Sequence, residues 1–106
     1  MVLKYEIEIE GEVVASRLKY LVNQTYKLLP SREEGADWET PLDTIIEELA
    51  GMGRLFLQEH HNLFFPLICK LEGLFELAHK DDFLLFRRVI FECLSLLNSL
   101  IQVCLA

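Results

Sequence analysis

The sequence predicts an all-α fold: a four-helix up-and-down bundle with a short third helix, preceded by a short extended arm at the amino terminus. Three observations carry that prediction. Apolar residues recur at helical spacing over most of the chain, prolines and capping residues punctuate the periodic runs, and a period of two is confined to the first ten residues. A length of 106 residues leaves room for one domain and one core, spanning 1–106.

Taken in order, Leu3, Tyr5, Ile7 and Ile9 alternate with Lys4, Glu6, Glu8 and Glu10, and Gly11 interrupts the alternation. Residues 1–11 therefore read as a strand or an arm. A lone strand needs a partner, and the same strand of a second copy would serve. From Glu12 to Leu29 the period becomes helical, with Val14, Leu18, Leu21, Val22, Thr25, Leu28 and Leu29 on one side, and Pro30 reads as the stop. "PSREEGADWE" follows as an acidic loop holding the single tryptophan, Trp38.

The second helix has a start signal in Thr40 as cap, Pro41 at the first helical position and Asp43 as the capping-box acid. Its apolar arc runs through Leu42, Ile45, Ile46, Leu49, Met52, Gly53, Phe56 and Leu57 towards Phe64. Pro66 then opens a third helix ending at His79, and Asp81 or Asp82 caps the last one.

That last helix is the oiliest part of the chain: from Phe83 on, 17 of 24 residues are apolar. At ~100° per residue its polar residues, Arg87, Arg88, Glu92, Ser95, Asn98, Ser99 and Gln102, occupy an arc of about 140°. The remaining ~220° exceeds the stripe that a surface helix needs to meet one core. Arg87, Arg88 and Glu92 leave only Cys93–Ala106 uninterrupted, too short to cross a bilayer of about 30 Å, so no membrane partner is expected. A short third helix would leave part of this surface bare, and a second copy would cover it. Leu85, Val89, Leu96, Leu100 and Val103 are the candidate interface residues on this helix. Trp38 is a further candidate, as an anchor for a partner or as a lid on its own core.

Composition narrows the function. A net charge of −7 and a pI near 4.9 disfavour nucleic acid, whose phosphates would be repelled. Cys69, Cys93 and Cys104 form no CxxC pair and suit reduced thiols in a cytoplasmic protein. On the second helix His60 sits in line with Gly53 and Phe56 on the apolar arc. These three are the candidate pocket residues, with His60 as base or metal ligand, or as a satisfied core histidine. Glu76 and His79 have Glu-x-x-His spacing, but no second such motif completes a di-metal set, and no cofactor or metal is expected.

Two resemblances are partial. "IIEELAGM" resembles the Glu-Glu-x-x-Glu metal motif of all-α nucleotide pyrophosphohydrolases at Glu47 and Glu48. Gly51, however, stands where the third acid belongs, so that activity is not implied. A strand followed by two helices is similar to ribbon-helix-helix repressors, in which strands pair across a dimer. Glu6, Glu8 and Glu10 on the charged face remove the DNA-binding implication and leave only the pairing. The function expected from the sequence is therefore that of a small acidic adaptor or regulatory protein, homodimeric and open to a further protein partner. The alternative is a helical-bundle enzyme or small-ligand or metal binder with a pocket around His60.

Overall fold

Helical periodicity becomes four helices in the computed structural model, which describes residues 2–3, 9–53, 61–78 and 83–105. They are α1 (Gly11–Glu33), α2 (Glu39–Gly53), α3 (His61–Ala78) and α4 (Phe83–Leu105). Ahead of them the ends of the alternating segment, β1 (Val2–Leu3) and β2 (Ile9–Glu10), pair antiparallel, with Val2 opposite Glu10 and Leu3 opposite Ile9. Within the single chain these two short strands are each other's partners.

Pro30 and Pro66 were expected to bound helices, and both lie inside them. Proline at residue i removes the bond to the carbonyl of residue i−4 and crowds that carbonyl, a local cost that leaves the other backbone bonds of the helix in place. For Pro66 that carbonyl belongs to Asn62, in the first turn of α3, so the helix starts a turn and more before the proline. With 18 residues, α3 is longer than α2, which has 15; the expectation of a short third helix is corrected. Pro30 likewise leaves α1 running on to Glu33.

The corner between α1 and α2 is closed by backbone chemistry. Ala36 N donates to the Ser31 carbonyl at 2.8 Å and Gly35 N to that of Arg32 at 3.2 Å, while Gly35 takes a φ of 72°. This is the paired-bond helix ending that favours glycine, because a left-handed φ costs other residues a clash at Cβ. Asp37 then caps α2, its Oδ1 accepting from the amides of Glu39 at 3.1 Å and Thr40 at 3.2 Å. Thr40 and Asp43, expected as cap and capping-box acid, lie within α2 instead.

Each helix packs on its two sequence neighbours, and α4 returns to α1 to close the ring. The bundle measures 43 × 20 × 20 Å. Its core alternates three- and four-residue steps on every helix: Val14, Leu18, Leu21 and Leu28; Leu42, Ile45 and Leu49; Phe64, Leu67, Leu71 and Leu74; and Phe86, Ile90, Cys93, Leu97, Leu100 and Cys104. Thr25 is the buried polar member, and its hydroxyl is satisfied by donating to the Leu21 carbonyl at 2.7 Å.

Candidate interaction surface

At 1.5 Å per residue the 23 residues of α4 span roughly 34 Å, and α1 has the same length. The long neighbour of α4 is therefore α1, and it shelters much of what a short third helix would have left bare. The buried residues of α4, from Phe86 to Cys104, fall within ~120° of its circumference. Leu100 is one of them, fully buried, so it belongs to the core and not to a free surface as expected. The reason is geometric: an apolar arc read from the sequence does not say which part of it meets the chain's own helices.

The other expected interface residues lie on the flank of α4 towards α3. Leu85 is 37% exposed, Val89 and Leu96 are partly buried against the core edge, and Val103 is partly buried. In the middle of this stripe Glu92 of α4 accepts from Lys70 of α3 at 2.7 Å, and Arg88 adds a weaker contact at 3.7 Å. The hydrogen bond from Lys70 holds the Glu92 carboxyl below its ordinary range, and the same bond raises the Lys70 ammonium. The stripe is therefore apolar along its length, with the Lys70–Glu92 pair at its centre and Arg88 at its margin.

Trp38 sits at the end of the bundle, edge-on to Phe86 at 5.4 Å between centroids and tilted against Phe75 at 6.0 Å. It is the lid of its own core. A third, smaller feature is a groove of about 230 Å³ between α1 and α2, lined by Tyr20, Gln24, Thr40, Pro41, Thr44 and Glu48 among others. The Arg17–Glu48 ion pair crosses the same two helices, with Arg17 Nε donating at 2.9 Å.

Of the expected pocket residues, His60 and Phe56 lie outside the described residues. Gly53, the last described residue of α2, is partly buried, and a Cβ there would stand 3.6 Å from the Phe64 ring. That is ordinary contact, so Gly53 marks helix packing and leaves no void of its own. Among the described residues no group of three or more His, Cys, Asp and Glu is placed to hold a metal. Glu72 and Glu76 are solvent-exposed, and His79 lies outside the described residues. Burial pushes the Cys93 thiol up to about 12 and raises that of Cys104, so both serve as small core residues.

The flank of α4 towards α1 holds what the sequence reading missed. There Tyr26 of α1 meets Phe91 edge to face at 6.1 Å, and both rings remain in large part exposed. Phe91 interrupts the polar arc of α4, and that interruption is the sequence signal from which this flank could have been found. By length and composition α4 could also cross a membrane, with mean hydropathy 1.5 in an 18-residue window, 39% of it buried inside the bundle. The chain matches no family model, no curated protein and no solved structure.

Proposed function

We propose that this chain is a small acidic adaptor or regulatory protein of the cytoplasm that works by binding protein and is itself a homodimer. On this reading its four helices run up and down, with the paired residues at the amino terminus as a short arm. The observation that carries it is the stripe of Leu85, Val89, Leu96 and Val103, which the chain's own helices cover only in part.

Self-association through a two-fold axis brings the same patch of both copies together, so a suitable patch must not repel itself. The α3/α4 stripe meets that condition, because Lys70 and Glu92 cancel within it and can exchange partners across the axis. Light scattering across a range of micromolar concentrations tests the reading. A dimer mass is expected, and Leu96→Glu with Val103→Glu should return it to the 12.3 kDa monomer without loss of helical signal. A monomer at every concentration would end the dimer proposal.

A further inference from the structure

The four helices divide by charge. Within its span α1 carries four lysines and arginines against two glutamates, and α4 two arginines against one glutamate. By contrast α2 carries four acids and no lysine or arginine, and α3 one lysine against two glutamates. Because α1 packs on α4, the two positive helices form one side of the ring and the two negative helices the other. A chain of net charge −7 thus keeps one face that attracts carboxylates.

That face has an uncovered apolar centre. Leu84 is 76% exposed, Tyr26 48% and Phe91 42%, and Leu84 and Phe91, seven residues apart, share one side of α4. Arg87 and Arg88 stand between them in sequence. The Arg87 Cζ lies 5.3 Å over the Phe91 ring, and among the described residues this guanidinium pairs with no carboxylate. The Arg88 side chain is 77% exposed and only 3.7 Å from its acid, Glu92. On α1, Lys19 lies two turns before Tyr26 on the same face, while Glu12 and Glu33 stand at its two ends. Tyrosine and arginine around an apolar centre are the side chains that most often anchor protein partners.

We propose that the α1/α4 face binds one amphipathic helix of a partner protein, with its apolar stripe on Leu84, Phe91 and Tyr26 and its flanking carboxylates on Arg87 and Arg88. A second copy related by a two-fold axis does not fit here, because Arg87 and Arg88 would meet their own images. A second copy offering its acidic α2 would add head to tail and would not close. An anionic bilayer is a poorer match than a helix, because binding to such a surface takes a cluster of about four to eight cations and this face offers Arg87, Arg88 and Lys19, with Glu12 and Glu33 at its ends. This face lies across α4 from the Leu85–Val103 stripe, so the proposal goes beyond homodimer formation and does not depend on it.

The test is selection from displayed single helices that share an apolar i, i+3, i+4, i+7 stripe, with flanking positions free to be acidic, basic or neutral. Acidic flanks should be enriched. The selected peptide, labelled and followed by fluorescence anisotropy, should bind Arg87→Glu/Arg88→Glu protein about tenfold more weakly or worse. Leu84→Ser should weaken it as well, and circular dichroism melts of both variants should match the parent. Absence of binders, flanks without an acidic bias, or equal affinity for the arginine variant would overturn the proposal. Vesicles of phosphatidylserine and phosphatidylcholine that bind the parent protein while no helix is enriched would assign the face to a membrane instead. A mass that climbs past the dimer with concentration, and ceases to do so in the arginine variant, would assign it to head-to-tail self-association.

Discussion

Lys70 Nζ lies 2.7 Å from Glu92 Oε2, joining α3 to α4 in the middle of the apolar stripe between Leu85 and Val103. The Glu92 carboxyl is held below its reference of 4.5 by this bond, so its contribution to stability is present above pH 4.5 and is lost as the pH falls through the lowered value. The Lys70 ammonium is raised above 10.5, so its contribution is present below pH 10.5 and is lost as the pH rises through the raised value. Both side chains are 40% exposed, so solvent screens the pair and the effect is small. The gap in melting temperature between the parent and Glu92→Gln should hold steady from about pH 6 to 9 and narrow progressively as the pH falls below 4.5. A gap that persists in acid would mean the ion pair is not its source.

Leu100 and Leu96 stand on the same helix, one fully buried and one at the core edge. Leu100→Ala should cost about 2–5 kcal/mol in urea denaturation, because its neighbours cannot collapse fully into the space left. Leu96→Ala should cost clearly less. Equal losses would contradict the burial that separates them.

Two glycines should respond to alanine with opposite signs. Gly35 has a φ of 72° and nothing within 4 Å of a new Cβ, so its cost is conformational, about 1–2 kcal/mol. Gly51 lies within α2, also with open space around a Cβ, and Gly51→Ala should stabilise by roughly 0.5–1 kcal/mol. Denaturant midpoints of the two single variants decide the matter.

The three thiols should separate by reactivity. Cys69 is exposed, whereas Cys93 is buried with its thiol pushed up to about 12 and Cys104 is buried with its thiol raised. One thiol should react with Ellman's reagent in the folded protein and three after denaturation. Fast reaction of all three under native conditions would show that the core opens readily.

Much of this fold was legible because its helices are amphipathic in the simplest way: Val14, Leu18, Leu21, Thr25 and Leu28 fall on one side of α1 both by periodicity and by burial. The start of α4 at Phe83 follows from the same patterns, while that of α1, read at Glu12, lies one residue earlier at Gly11. The prolines misled because Pro66 and Pro30 each remove a single backbone bond, which packing on neighbouring helices outweighs. The cap of α2 was misplaced by three residues: Thr40-Pro41 looks like a start, but the chain leaving Gly35 already has Asp37 in position to accept two amides. The surface was half legible. Leu85, Val89, Leu96 and Val103 share one flank of α4, whereas the Tyr26–Phe91 contact joins residues on two helices, and only its α4 half, Phe91 within the polar arc, shows in the pattern of a single helix.

The corner between α1 and α2 has a further consequence, for the order of assembly. None of its hydrogen bonds, from Glu34 to Pro30 through Leu42 to Trp38, reaches more than five positions along the chain. Closing so short a loop demands little entropy and no distant contact. A polypeptide emerging from the ribosome can therefore bend at Gly35 as soon as Thr40 has cleared the exit, and the first pair of helices is aimed before the greasy carboxy-terminal rod has been synthesised.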